Sequence, residues 1–204
     1  NDSALPNMTD LFESDSKVPK DEISQTNTPL AEKLRPKFLN EVVGQDRLLA
    51  ADGQLALMVK SSQLVSIIFW GPPGVGKTTI ARAIANEVSA HYEEISAIFS
   101  GVSDLKKLLN AASVRYSNGA RTILFVDEIH RFNKSQQDSF LPYMENGSII
   151  LMGATTENPS FELNSALLSR SQVLILERLN AEDLLKIFNR AIGSMKNAPM
   201  FSEN

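Results

Sequence analysis

A glycine-rich stretch directly after a short apolar run constrains the fold of this chain more than any other feature. Residues 71–79 read GPPGVGKTT and follow the apolar residues 67–70. Their spacing satisfies the pattern G-x-x-x-x-G-K-[ST], in which glycines let successive backbone N–H groups point at one phosphate chain. A helix that begins there adds the partial positive charge of its N-terminus. The stretch therefore predicts a phosphate-binding loop between a strand and a helix.

The predicted nucleotide contacts of this loop are consecutive. They are Gly71, Pro72, Pro73, Gly74, Val75, Gly76, Lys77, Thr78 and Thr79. Lys77 is expected to reach the outer phosphates, and the Thr78 hydroxyl is expected to bind Mg²⁺. A loop of this kind does not by itself distinguish a kinase from a hydrolase.

A second motif indicates that the bound nucleotide is hydrolysed. Residues 122–128 read TILFVDE, an apolar run that ends in two acids. At the end of such a strand, Asp127 is expected to hold Mg²⁺ together with Thr78, and Glu128 is expected to accept a proton from the attacking water. The guanine-reading motif N-K-x-D is incomplete, because Gln136 stands where its Asp is needed. The sequence therefore predicts ATP rather than GTP.

Apolar runs alternate with helical patterns from Pro29 onward, which predicts an α/β fold with a five-stranded parallel sheet and helices on both faces. The predicted strands are 66–70, 94–99, 122–126, 148–153 and 172–176. The predicted helices are 45–60, 77–90, 104–116, 134–145, 164–169 and 181–193. The buried stripe predicted for 104–116 consists of Leu105, Leu108, Leu109 and Ala112. Ser103 is the predicted N-cap of that helix, and Pro142 is expected to kink or shorten its own helix.

Composition divides the chain into a polar beginning and a mixed remainder. Residues 1–28 contain six acids and two lysines, which account for the whole net charge of −4, and we expect a disordered acidic tail there. Residues 29–178 are predicted to form the ATP-binding α/β core, and 179–204 to begin a second domain. The sequence has no cysteine and no apolar run of about 18 residues, and its polar, acidic first residues do not fit the pattern of a secretory leader. We therefore expect a cytoplasmic protein that does not enter a membrane.

Three further polar residues each allow two interpretations. Thr155 and Thr156 follow a predicted strand, where a hydroxyl either senses the γ-phosphate or only makes a turn. Arg170 ends a helical segment, where a cation favoured by the helix dipole is the simpler interpretation. The residue pattern alone leaves these alternatives open.

Taken together, these motifs resemble the AAA+ ATPases. In detail they resemble the replication-associated recombination protein A family, also called MgsA, whose eukaryotic relatives are the Werner helicase-interacting proteins. The most specific segments are DEIHRFNKSQQD (127–138) and GATTENPSFELNSALLSR (153–170). The resemblance implies that Thr156 senses the γ-phosphate and that Arg170 reaches the ATP of a neighbouring subunit. It also implies that four residues flank the adenine: Arg35, Pro36, Val43 and Gly44.

The same resemblance implies a DNA-dependent ATPase that acts at stalled replication forks, on single-stranded gaps and duplex ends. It implies a tetramer that uses ATP and Mg²⁺, contacts single-strand-binding protein and associates with the nucleoid. In clamp-loader relatives the helix after the second strand faces DNA, which makes Ser103, Lys106 and Lys107 the predicted DNA contacts. Because 179–204 would be only the start of the family's helical lid, we expect feeble hydrolysis and mostly monomeric behaviour from this chain.

Other functions stay open at this point. ATP binding would instead gate a scaffold, or the chain would belong to a motor like the bacterial Holliday-junction branch-migration motor, with which it shares DEIHR and GATT. A protein-unfolding machine is disfavoured, because no aromatic-hydrophobic-glycine loop follows the second predicted strand. In the tail, MTDLF resembles peptides that dock on the bacterial sliding clamp, which makes Leu11 and Phe12 a predicted contact.

Overall fold

The computed structural model describes residues 29–61 and 63–196. The predicted acidic tail, with Leu11 and Phe12, lies outside the described residues, as do residues 197–204 of the predicted lid segment. A first short helix, α1 (Leu30–Lys33), belongs to a different compact unit from the rest and contains no buried residue. All other elements belong to the unit that begins at Leu34.

Parallel strands form the sheet of the described residues. They are β1 (Ser66–Trp70), β2 (His91–Ser96), β3 (Thr122–Asp127), β4 (Ile149–Thr155) and β5 (Ser171–Ile175). Their order across the sheet is β2-β3-β4-β1-β5, and every pairing is parallel. The three middle strands read as continuous apolar runs, because helices cover both of their faces. The predicted five-stranded parallel sheet is confirmed.

The remaining helices lie between and after the strands. They are α2 (Asp46–Leu49), α3 (Gln54–Lys60), α4 (Lys77–Glu87), α5 (Val102–Ser117), α6 (Lys134–Asp138), α7 (Leu141–Glu145), α8 (Pro159–Glu162), α9 (Ser165–Leu168) and α10 (Ala181–Lys196). Short 3₁₀ turns cover Leu39–Glu41 and Ile129–Arg131. No helix in the described ranges is long and apolar enough to span a membrane.

Two apolar clusters place helices on opposite faces of the sheet. Side chains of a strand alternate between its faces, so neighbouring residues of β1 belong to different clusters. On one face, Ile67 and Phe69 pack with residues of α3 and α4. On the other face, Ile68 packs with residues of α5, α9 and the α6–α7 connection. Because both faces are dry, functional side chains are restricted to the two edges where the strands begin and end.

The second predicted strand is present but lies three residues earlier, so the predicted bounds 94–99 are wrong. Strand β2 pairs with β3 along its whole length and lies at the edge of the sheet, where polar side chains are tolerated. The chain then turns, because the Ser96 carbonyl accepts the N–H groups of Phe99 (3.3 Å) and Ser100 (3.0 Å). As a result, Ile98 and Phe99 are exposed, at 55 % and 88 %.

The start of α5 also differs from the prediction. The helix begins at Val102, so Ser103 lies in its first turn and is not the N-cap. The N-cap position is Gly101, whose N–H donates to the Asp104 carboxylate (3.2 Å). Of the predicted buried stripe, three residues are buried and Leu108 is half-buried.

Two predicted helices are divided in the structure. The stretch 45–60 forms α2 and α3, which meet at Gly53, where a Cβ atom would lie 2.5 Å from the Leu48 carbonyl oxygen. The stretch 134–145 forms α6 and α7, and Pro142 occupies the first turn of α7. A proline is tolerated at that point because the N–H it lacks has no partner within the helix. The predicted effect of Pro142 is confirmed.

Candidate functional site

The carboxyl ends of the central strands bring the predicted motifs to one edge of the sheet. Trp70, the last residue of β1, lies opposite Thr155, the last residue of β4. The Gly71 N–H donates to the Thr155 carbonyl (3.2 Å), which joins the glycine-rich loop to the end of β4. Asp127 ends the next strand, β3. Residues that are far apart in sequence thus border one site.

The glycine-rich loop has the backbone shape that a phosphate cradle needs. Gly74 and Gly76 adopt positive φ angles, 78° and 97°, which favour glycine. A Cβ atom on either residue would meet nothing within 4 Å, so the space above the loop is open. Gly71 is required for a different reason: its Cβ would lie 2.5 Å from the Leu176 carbonyl oxygen.

Lys77 begins α4 and turns its side chain back over the loop. Its Nζ donates to the carbonyl oxygens of Gly71 (2.6 Å) and Pro72 (3.1 Å). Burial lowers the pKa of the Lys77 ammonium, and the charges of Glu128 and Asp127 oppose that shift. The buried ammonium group of Lys77 is therefore close enough to the carboxylates of Asp127 and Glu128 to interact with their charges.

Glu128 follows β3 in an unusual backbone conformation. Its φ and ψ angles of 50° and 46° are left-handed, which a residue without glycine's freedom adopts only when its surroundings hold it there. Its carboxylate Oε2 lies 3.5 Å from the Thr156 hydroxyl and 3.3 Å from His130 Nδ1. The structure thus brings Glu128 to the residue that the sequence predicted as a γ-phosphate sensor.

His130 belongs to this cluster, although the sequence interpretation gave it no role. Its side chain is only 7 % exposed, and Nδ1 also lies 2.9 Å from the Thr155 hydroxyl. Helical or strand periodicity does not predict this contact, because a 3₁₀ turn at Ile129–Arg131 folds the chain back toward β4. The one available signal was a histidine two residues after the predicted proton acceptor.

The two threonines at the end of β4 have different surroundings. Thr155 is fully buried, and its hydroxyl accepts the Glu157 N–H (3.0 Å) besides contacting His130. Thr156 is half-buried and turns toward Glu128. Thr155 is therefore held as part of the scaffold, whereas Thr156 lies at the surface of the site.

The residues predicted to flank the adenine lie in a segment that packs along α4 and α10. Arg35 donates through Nη1 to the Thr79 hydroxyl (3.3 Å). Pro36 and Val43 are half-buried. Gly44 approaches the start of α10 so closely that a Cβ would lie 2.6 Å from Leu179 Cδ2.

Arg170 lies away from the other predicted catalytic residues. It directly precedes β5, so it lies at the amino edge of the sheet, opposite to the glycine-rich loop. A strand of five residues such as β1 separates these edges by about 16 Å. The Arg170 side chain is 41 % exposed, and it pairs with Glu145 (Nη2 to Oε1, 2.6 Å). Within one chain, the structure does not bring Arg170 to the cluster around Lys77.

The predicted DNA contacts lie on the exposed beginning of α5. Ser103, Lys106 and Lys107 are all exposed. Since α5 follows the carboxyl end of β2, this surface lies at the same edge of the sheet as the glycine-rich loop.

The oxygen donors at this edge fit a magnesium ion that binds together with a nucleotide. Among the described residues, no group of three or more His, Cys, Asp or Glu side chains is arranged to hold a metal ion alone. Mg²⁺ commonly uses one or two protein oxygens and takes its other ligands from phosphates and water. Thr78, in the first turn of α4, and Asp127, at the end of β3, supply oxygens of that kind.

Comparisons with known proteins agree with this arrangement. Residues 67–179 match the family described as "ATPase family associated with various cellular activities (AAA)". The chain is 52 % identical over 167 residues to the replication-associated recombination protein A of Escherichia coli K12, covering 82 % of this chain and 37 % of that protein. It is 48 % identical over 164 residues to the ATPase WRNIP1 of Dictyostelium discoideum, covering 80 % of this chain and 19 % of that protein.

A solved structure gives the same result for the fold. The Holliday junction branch migration motor RuvB of Thermotoga maritima superposes with a TM-score of 0.67 at 30 % identity. The match covers 80 % of this chain and 55 % of that chain. The curated relatives named above are longer than RuvB relative to this chain. The match covers 37 % of the Escherichia coli protein and 19 % of the Dictyostelium discoideum protein, so this chain spans well under half the length of either.

The two threonines should respond differently to the same substitution. Thr155→Val removes a fully buried hydroxyl and leaves the Glu157 N–H and His130 Nδ1 without that partner, so we expect the free energy of unfolding to fall by about 1–3 kcal/mol. Thr156→Val should change it by less than about 0.5 kcal/mol, because Thr156 is only half-buried. Urea denaturation of both variants checks this, and equal losses would contradict the assignment.

Proposed function

Because the chain belongs to the AAA ATPase family, we propose that it binds ATP with Mg²⁺ at residues 71–79 and hydrolyses it in the service of replication-linked recombination. One observation carries this proposal: Lys77, Asp127, Glu128 and Thr156 converge beside an open glycine cradle at one edge of the sheet.

Binding of the nucleotide rests on the loop and its helix. The N–H groups of residues 74–78 cradle the phosphates, and Lys77 exchanges its contacts with two carbonyl oxygens for phosphate oxygens. Thr78 and Asp127 hold the Mg²⁺, which neutralises phosphate charge when bound. Arg35, Pro36, Val43 and Gly44 line the adenine side of the site.

Hydrolysis rests on the cluster around Glu128. Its carboxylate accepts the proton of the attacking water, and Thr156 fixes the water or the γ-phosphate beside it. An ionised Glu128 is an acceptor only, so an N–H at His130 Nδ1, which lies 3.3 Å from Glu128 Oε2, would orient the carboxylate. The same N–H also faces the Thr155 hydroxyl, 2.9 Å from Nδ1, so Glu128 and Thr155 share one donor and Thr155 holds the ring in place.

Arg170 acts on the ATP of a neighbouring chain. It lies at the opposite edge of the sheet from its own nucleotide loop and is exposed, which supports a role across a subunit interface. Head-to-tail contacts of this kind close into rings or extend into helical filaments. An arginine supplied in this way contributes about 10³–10⁵ in rate to other nucleotide hydrolases.

The wider cellular role is proposed from the family resemblance, and the relatives' names support only its link to replication and recombination. It comprises DNA-dependent hydrolysis at stalled forks, gaps and duplex ends by a tetramer that contacts single-strand-binding protein, near the nucleoid. Ser103, Lys106 and Lys107 would contact DNA, and Leu11 and Phe12 a sliding clamp. The ATP-binding core would be 29–178, and 179–204 would begin a helical lid. Because Arg170 would be supplied by a neighbouring chain, a single core would hydrolyse ATP weakly.

Two other functions are compatible with the same site. In one, ATP binding switches a scaffold and hydrolysis only resets it. In the other, the chain drives branch migration, which the likeness to RuvB favours. Both keep the roles of Lys77, Asp127 and Glu128 unchanged.

A Glu128→Gln variant should keep ATP binding and lose turnover. We expect the ATP turnover of the full-length protein to fall by at least about 100-fold, because the proton acceptor is lost while the loop is intact. The measurement is steady-state ATPase activity together with the Kd for ATP. Wild-type turnover in this variant would contradict the proposed mechanism. A DNA-processing assay separates motor from scaffold, since a motor loses function whereas a scaffold is held in its active, ATP-bound state.

A His130→Ala variant should slow hydrolysis without weakening nucleotide binding. Misorientation of Glu128 should lower kcat by about 10- to 100-fold, and His130→Asn, whose amide nitrogen can replace Nδ1, should restore part of it. His91→Ala is the matched control, because His91 is exposed on β2 and remote from this cluster. If Ala and Asn variants lose kcat equally, or if the Kd for ATP rises in parallel, His130 does not orient Glu128.

A further inference from the structure

The turn after β2 presents apolar side chains to solvent where the fold does not require them. Phe99 is 88 % exposed, Ile98 is 55 % exposed and Val102, the first residue of α5, is 50 % exposed. Three exposed apolar residues within five positions of one turn make this turn a candidate contact surface. We call the group Ile98, Phe99 and Val102 the β2–α5 platform.

The backbone of the platform is fixed rather than loose. The Ser96 carbonyl accepts two N–H groups of the turn, and the Ser96 hydroxyl accepts the Ile98 N–H (3.4 Å). The following helix is closed by the bond from the Gly101 N–H to the Asp104 carboxylate. The backbone that carries Phe99 is therefore ordered before a ligand binds, which lowers the entropic cost of binding.

The charges beside the platform select the class of ligand. Lys106 and Lys107 are exposed one turn further along α5. The nearest acid in the sequence, Asp104, is engaged with the start of its own helix. A small apolar surface next to two free ammonium groups complements a ligand with flat rings and a negatively charged backbone.

We propose that the β2–α5 platform binds single-stranded DNA by stacking an unpaired base on Phe99, while Lys106 and Lys107 contact its phosphates. This inference rests on the proposed DNA-directed function and adds a base-contacting residue to it. Paired bases are stacked inside the duplex, so the platform favours gaps and frayed ends over intact duplex.

The platform is also connected to the hydrolysis site. Ser96, which holds the turn, lies opposite Asp127 in the sheet, and the Ala97 N–H donates to the Asp127 carbonyl (2.9 Å). Phe99 is two residues after Ala97, which contacts the proposed magnesium ligand Asp127 directly through its backbone. A DNA base that stacks on Phe99 would therefore lie close to this contact. The platform and the proposed magnesium ligand are thus carried by neighbouring, hydrogen-bonded backbone segments.

The test compares two fluorescein-labelled probes of equal length, an oligothymidylate and an abasic phosphodiester oligomer. Phe99→Ala should weaken oligothymidylate binding by about 5- to 100-fold and leave the abasic oligomer unchanged. Phe99→Trp should retain binding, because it retains a flat ring. Phe161→Ala is the matched control, since Phe161 is 81 % exposed on α8. Charge reversal of Lys106 and Lys107 should weaken the binding of both probes and make their affinity depend less steeply on salt concentration.

Three results would overturn the inference, and they are distinguishable. If Phe99→Ala binds oligothymidylate like the wild type, no base stacks on Phe99. If Phe99→Ala instead changes only the concentration at which chains associate, the platform is a protein contact. If the wild-type chain binds neither probe, the proposed DNA-directed function fails together with the inference.

Discussion

The parallel pairing of the strands is the constraint on which the rest of the structure depends. Because every strand runs in the same direction, all carboxyl ends meet at one edge, and β1 has β4 beside it. That pairing joins Gly71 to Thr155 by a hydrogen bond and sets the phosphate loop next to the acids that end β3. Apolar clusters on both faces of the sheet leave only the two ends of the strands for polar chemistry, and the loop and the acids share the carboxyl end. The common direction of the strands therefore determines where the site lies, and the side chains determine its chemistry.

The same constraint explains why Arg170 and Lys77 cannot serve one nucleotide within one chain. Strands β1 and β5 are parallel neighbours. Arg170 precedes β5 and the loop with Lys77 follows β1, so the two residues lie at opposite ends of the strands. Arg170 is meanwhile occupied by Glu145, and Lys77 by the carbonyl oxygens of its own loop. Phosphate oxygens would replace the carbonyl partners of Lys77. The nucleotide of a second subunit would replace the Glu145 partner of Arg170. This geometry supports the proposal that ATP is hydrolysed at an interface between two chains.

Fixed spacing made much of this predictable from the sequence, and the comparisons confirm the fold and the family resemblance. The glycine loop and the acids after β3 follow local patterns whose chemistry depends on spacing alone. The prediction failed where the tertiary structure decides. Strand β2 is the outermost strand of the sheet, where polar side chains are tolerated, so its polar first half does not look like a strand in the sequence. The exposed apolar residues Ile98 and Phe99 therefore give a false signal that the strand continues. The role of His130 depends on a 3₁₀ turn that no periodicity indicates.

The central claim, a site shared between chains, is tested most directly by mixing two inactive variants of a full-length protein that carries this core. Lys77→Ala removes the phosphate contact but keeps Arg170, and Arg170→Ala does the reverse. Each variant alone should hydrolyse ATP at about a thousandth of the wild-type rate or less. An equal mixture should recover about a quarter of the wild-type rate, because that share of head-to-tail interfaces combines both intact residues. A mixture no more active than its components would contradict the account.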